Sequence, residues 1–201
     1  MYNEINIIRD IDDYMMFVQQ LKRRFTISEY HQMAEVGILT PSDRVELING
    51  EIISMSPIGK RHAACVNRLN QLFYQKLGDR ILISVQNPIL LNNLSEPQPD
   101  IALLQPRTDF YASGHPQASD IFLIVEVADS SINYDQEVKI PLYSSSGIIE
   151  VWLVDLNQNR LQVYQQPTEI GYQIIQQFQP EDSLSPLAFP EINVRVNEMI
   201  L

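Results

Sequence analysis

The chain has 201 residues, 45% hydrophobic and 19% charged, with a formal net charge of −11. It can bury a sizeable core, one domain is the default at this length, and global disorder is excluded. The acidity argues against a generic nucleic-acid binder, and no apolar run approaches the roughly 20 residues that cross a bilayer.

A single cysteine, Cys65, leaves no internal disulfide framework and no multi-cysteine zinc site. The N-terminus, Met1 to Asn6, carries no basic stretch followed by an apolar one, so no secretory signal is visible and a cytoplasmic location is expected. Residues 1–80 hold ten Lys/Arg and ten Asp/Glu, whereas residues 81–201 hold four and fifteen, which accounts for the whole net charge. A grip on a polyanion must then come from the first 80 residues or from bound cations. The candidates are Lys22, Arg23, Arg24, Lys60, Arg61, Arg68, Lys76 and Arg80.

Residues 5–24 mix apolar residues with acids and glutamines and end in a basic cluster, which predicts a helix whose C-terminus carries cations. Thr26-Ile27-Ser28-Glu29 fits a capping box and predicts a second helix running to about Glu35 and stopping at Gly37. Val45 to Met55 is two apolar runs around Asn49-Gly50, the strongest short-range hairpin cue, because a type I′ turn needs positive φ at both central residues. Alternation puts Glu46 on one face with Ile48. Val66, Leu69, Leu72, Phe73 and Leu77 fall at helical spacing, so the main helix is expected over about 58–77. His62 lies in its first turn, where a lone histidine reads as a cap or surface residue.

Short strands are expected at 80–85 and 88–91, followed by Pro99-Asp100 opening another, then an exposed loop over 105–120 that contains His115. Ile121 to Val127 is a continuous apolar run, as in a strand buried on both faces. Residues 132–146 read as helix, with Pro141 as a kink or first-turn residue and Gly147 as its end. Ile149 to Asp155 is a second buried strand. Arg160–Tyr164 and Gly171–Phe178 read as an antiparallel pair, with Tyr164 and Tyr172 available as cross-strand aromatics. Strands interleaved with helices indicate a layered α/β fold with a mixed sheet.

Glu126 lies in the middle of an apolar strand, where a carboxylate is costly unless it is paired or metal-bound. If the strands of Asp100 and Glu126 are neighbours, both carboxylates converge on one point, and two bare charges about 4 Å apart repel by about 4 kcal/mol at an effective dielectric near 20. A divalent cation reverses that sign. Mg²⁺ takes one or two carboxylates plus waters and phosphate oxygens, whereas zinc lacks a convergent His/Cys set in the sequence. Asp135, Lys139 and Tyr143 recur every four residues and share a helical face, which brings one long cation toward the acids.

Together Glu46 to Glu51, Ser56-Pro57 with His62, Pro99-Asp100, Val125-Glu126-Val127, Asp129 to Ser131, Asp135, Lys139, Tyr143, Gly147 and Glu150 to Asp155 resemble the Uma-type restriction endonuclease family, within the P-D…(D/E)-x-K nuclease superfamily. The resemblance covers roughly residues 25–165. It implies a restriction-endonuclease-like three-layer fold, a central mixed β-sheet flanked by helices. The chain divides accordingly into a helical extension (1–25), a nuclease-like core (25–165), and C-terminal strands and tail (166–201) of one domain.

The resemblance also implies a Mg²⁺- or Mn²⁺-dependent endonuclease acting on DNA, with no membrane role. Alternatives are an inactive binding module or a nuclease for RNA or modified DNA. Asp100, Glu126 and the Val127 carbonyl would hold the metal, Lys139 would be catalytic, and Glu46 would be an auxiliary acid. The superfamily lysine stands two residues after the second acid. That place is Ala128 here, and the resemblance implies that Lys139 supplies the ammonium from the following helix. Cutting both strands needs two sites, so a homodimer is expected by analogy.

Overall fold

The computed structural model describes residues 22–40 and 42–200. The helix expected over 5–24 lies almost wholly outside the described residues, and 22–26 are not helical.

Thr26 caps α1 (Ile27–Glu35) through the expected reciprocal box with Glu29. Gly37 then turns the chain at φ +77°. The hairpin β1 (Val45–Ile48) and β2 (Glu51–Ser54) forms as its sequence requires, with Asn49 at φ +50° and Gly50 at φ +80°. It stands as a separate two-stranded sheet.

The main sheet has six strands in the order β3 (Leu82–Val85), β4 (Ile101–Leu104), β5 (Ile121–Ala128), β6 (Glu150–Asp155), β7 (Arg160–Thr168) and β8 (Gly171–Phe178). Only β5 and β6 pair in parallel. A parallel pair needs a crossover, and the segment between them supplies it as helix. This segment is α3 (Ile132–Tyr134), a π-helical turn (Asp135–Lys139) and α4 (Ile140–Ser145), and Pro141, which has no N–H to donate, follows directly on the π turn in a continuous helical run.

Strict alternation divides the sheet into two faces. Leu123, Val125 and Val127 of β5, with Trp152 and Val154 of β6, pack under α2 (Lys60–Leu77), whose Cys65, Val66, Leu69, Phe73 and Leu77 form the stripe read from the sequence. Ile124 and Ala128, with Val151 and Leu153, face Ile140 and Tyr143 of α4. Helices therefore cover both faces and make three layers. Trp152 is fully buried at 6.1 Å from the Phe73 ring, and its indole N–H donates to Glu150 Oε1 at 2.9 Å. The buried Glu150 also accepts from the Gln165 amide and the Leu187 N–H, joining β6 to β7 and to the C-terminal segment.

Three expectations need correction. Residues 88–91 form no strand. Gln86 at φ +52° turns the chain out of β3, Pro88 has no N–H to give a ladder, and only an isolated bridge from Leu90 to Gln117 remains. The strand expected at 80–85 begins at Leu82, because Gly78–Arg80 is a 3₁₀ turn. Strand β7 runs on past Tyr164, where it was expected to end, to Thr168, and pairs along this length with β8. Tyr164 and Tyr172 do meet, with ring centroids 5.9 Å apart, although the register pairs them with Ile175 and Pro167. The chain closes with β9 (Ser183–Leu184), β10 (Val194–Arg195) and α5 (Val196–Met199). No described helix is long and apolar enough to cross a membrane.

Candidate active site

The β4–β5 pairing sets the site. Ile101 pairs with Val125, so Asp100 sits just before the start of β4, beside Glu126. The Asp100 N–H points to Glu126 Oε2 at 3.4 Å, and the Val127 N–H donates to Asp100 Oδ2 at 2.9 Å. Asp100 Oδ1 accepts from the Gln86 amide at 3.1 Å. Glu126 follows the Ile124/Ala128 face, so it projects toward the α3–α4 layer. From that layer Lys139 Nζ reaches Glu126 Oε1 at 3.2 Å, and the Tyr143 hydroxyl donates to the same oxygen at 2.5 Å. The surface Asp–Lys pair that helical spacing alone would allow is thereby ruled out, since Lys139 is 6% exposed and Asp135 4%. The π turn widens the helix by one residue per turn where these side chains enter.

Glu46 of β1 also enters this cluster. It is 2% exposed and lies 3.5 Å from Lys139 Nζ, accepting also from Tyr134 OH and from the Gln98 N–H. The ammonium thus bridges Glu126 and Glu46, while its direct contacts do not include Asp100. Ala128, on the same face as Glu126 and two residues on, is fully buried against Ile140 and its neighbours. That position is filled by apolar packing, and Lys139 delivers the charge from the other layer.

His62 is the residue that sequence reasoning undervalued. From the first turn of α2 its Nε2 lies 3.0 Å from Asp100 Oδ2, while its Nδ1 is buried with no partner among the described residues. Nothing in the sequence joins two residues 38 apart, and the only available signal was its position just after Ser56-Pro57. Ser131 Oγ donates to Asp135 Oδ2 at 2.6 Å and anchors the start of the π turn.

The electrostatics follow from this packing. Burial pushes the Glu126 carboxyl up to about 8 against the pull of the Lys139 ammonium, and it likewise raises Asp135 to about 6. Burial would also raise Asp100, but the His62 hydrogen bond and charge, the Val127 N–H and the Gln86 amide outweigh it and hold Asp100 below the usual carboxylate range. His62 is raised in turn, chiefly by its hydrogen bond to Asp100. Burial opposes the charge on Lys139, yet Glu126, Glu46 and Asp135 overcome it and keep the ammonium protonated. Burial and Glu126 hold the Tyr143 hydroxyl well above its ordinary value, so it stays a donor.

Asp100, Glu126, Glu46, His62, Asp135 and Lys139 line a cleft of about 410 Å³ whose rim includes Arg44, Ile58, Gly59 and Asp129. Among the basic residues proposed to grip a polyanion, Arg61 is at this rim, bonded to Asp129 at 3.3 Å and to the Leu156 carbonyl. Lys76 lies 15 residues further along α2, about 22 Å away at 1.5 Å per residue. Lys76 and Arg80 are paired with Glu198 and Glu191, and Arg68 is tied to the Ile200 carbonyl. The cationic surface near the cleft is therefore much smaller than the sequence count suggested.

No curated protein matches the chain. Among solved structures it is similar to one titled "a putative nuclease belonging to DUF820 from Anabaena variabilis ATCC 29413", at TM-score 0.67 and 16% identity, covering 87% of this chain and 97% of the other. At that identity the likeness shows the fold alone, a mixed six-stranded sheet between helices. The family model Uma2, described as "Putative restriction endonuclease", matches residues 27–197. With that match spanning most of its length, the chain belongs to the Uma2 family of nuclease-like proteins.

Proposed function

We propose that this protein is a divalent-metal-dependent endonuclease that hydrolyses phosphodiester bonds of DNA. The observation that carries the reading is the Lys139 ammonium, 3.2 Å from Glu126, brought by a π turn to the sheet end where Asp100 and Glu126 meet. Family membership supports nuclease chemistry on a nucleic acid, and the choice of DNA and of Mg²⁺ or Mn²⁺ is our reading.

The donors suit a hard cation. Asp100 and Glu126 offer carboxylates. The Val127 carbonyl lies on the side of β5 that its N–H shows to Asp100, because both groups of a ladder residue point the same way. Mg²⁺ is typically held by one or two carboxylates, the remaining positions going to water and phosphate oxygens. A bound Mg²⁺ or Mn²⁺ supplies charge neutralisation and polarisation of the phosphoryl group.

The chain's own residues do the rest. Lys139 is charged at neutral pH, so it cannot take a proton from water. It stabilises negative charge developing on the phosphoryl oxygens. Glu46 and Tyr143 hold it and Glu126 in place, with Glu46 as the auxiliary acid. His62 orients Asp100. Arg61 and Arg44 at the rim meet the substrate backbone. Cleavage of both strands would use a homodimer.

Supercoiled plasmid with Mg²⁺ or Mn²⁺ tests the reading. Wild type should nick and linearise it, and Asp100→Asn should be at least ~100-fold slower, the scale on which loss of a single electrostatic partner acts. Equal background cleavage by both proteins would overturn the enzyme reading and leave a binding module.

A further inference from the structure

A second groove, about 940 Å³, runs between α1 and the segments 90–93 and 117–119, and it shares no lining residue with the Asp100 cleft. Beside it, His31 of α1, Glu96 and His115 come together from three separate stretches of chain. Their ligand atoms all lie within 4.8 Å of one another. His31 Nε2 is 2.8 Å from Glu96 Oε2, and the His31 and His115 rings meet edge-on with centroids 6.4 Å apart.

We propose that His31, Glu96 and His115 form a transition-metal site, with Zn²⁺ as its ion. Glu96 is 4% exposed, and among the described residues the only side chain bonded to its carboxylate is His31. A buried carboxylate with so little compensation favours a further cation. Two imidazoles and one carboxylate are the ligand set of open zinc sites, which keep a fourth position for water or an added ligand. Imidazole selects zinc, copper or nickel over Mg²⁺, so this site and the carboxylate cleft would sort different ions.

The geometry needs little change. Ligand atoms 2.0–2.2 Å from a tetrahedral ion lie roughly 3.3 Å apart. Closing from 4.8 Å asks only for side-chain rotation of the half-exposed His31 and the exposed His115. Sequence reasoning found no convergent His set because the three ligands lie 65 and 19 residues apart, with no motif spacing.

Such an ion would tie α1 and the 105–120 loop to the segment that leads into Asp100. The Glu96 N–H donates to the Leu47 carbonyl at 2.7 Å, and the Gln98 N–H donates to Glu46 at 3.1 Å. The clamp therefore acts on the same stretch that seats Glu46 and Asp100.

Zn²⁺ alone is titrated calorimetrically into the Asp100→Asn protein, to keep the carboxylate cleft out of the count, with Co²⁺ absorption as a second readout. One equivalent is expected, at least ~100-fold weaker when His115→Ala or His31→Gln is added, since even an outer partner of a metal site is worth 10–100-fold. Zn²⁺ should raise Tm only where all three ligands remain. Circular dichroism of the metal-free variants checks that they fold. No binding in the Asp100→Asn protein, or equal binding with and without His115, would overturn the site.

Discussion

Replacing Lys139 by Met removes the ammonium while keeping a similar apolar stem. The ammonium lies 3.2 Å from Glu126 and 3.5 Å from Glu46, and at an effective dielectric near 20 each contact is worth about 5 kcal/mol before desolvation is counted. Desolvation consumes much of that, but breaking a buried pair from one side strands the remaining charge and costs about 3–5 kcal/mol. Two buried acids are stranded here, with Asp135 close by. Glu126, already raised by burial, escapes the penalty only by taking up a proton, so its folded pKa stays above the unfolded one and stability falls as pH climbs. Urea unfolding in chelator should therefore show a modest loss for Lys139→Met at pH 5. At pH 8 the loss should reach roughly 1–2 M in midpoint, taking a slope of about 2.5 kcal/mol per M. Cleavage should fall about 100- to 1000-fold. Identical midpoints for variant and wild type at pH 8 would refute the claim that Lys139 neutralises this cluster.

In the wild-type protein without divalent ions, burial pushes Glu126 up to about 8 and Asp135 up to about 6, both above their unfolded values. The folded state binds more protons across that range, so stability should fall as pH rises from about 4.5 through 8. Glu126→Gln should flatten the profile in urea melts, and a profile rising over that window would contradict it. Tyr143→Phe deletes the hydroxyl donor at 2.5 Å from Glu126 Oε1. At about pH 9, where the Glu126 carboxyl is ionised, a hydrogen bond to a charged group is worth about 1.5–3 kcal/mol, so thermal unfolding there should show a loss of that size, and no loss would mean the carboxyl finds another donor.

Local chemistry made part of this structure readable. Asn49-Gly50, the Thr26–Glu29 box and the stripe on α2 each depend on near neighbours, and each formed as the residues dictate. The isolated acid in β5 correctly announced a partner, because an apolar strand cannot hold a bare carboxylate. What stayed hidden depends on distance along the chain. Glu46 and Lys139 are 93 residues apart, and His62 meets Asp100 only because α2 starts over the start of β4. The π turn has no local signature either, as the four-residue spacing of Asp135, Lys139 and Tyr143 fits an ordinary α-helix equally well. At 88–91 the apolar residues suggested a strand, but Gln86 and Pro88 removed the geometry and the donor it needed.

A positive charge carried by the crossover layer, while the sheet keeps alanine in the expected slot, has a practical consequence for finding such proteins. On the proposed reading the chemistry asks for a location in space relative to two acids, and here the lysine meets it from 13 residues beyond Glu126. Pattern scans that demand an acid, any residue and then lysine will pass over this chain, whereas a search for a buried ammonium within bonding distance of the second acid will catch it.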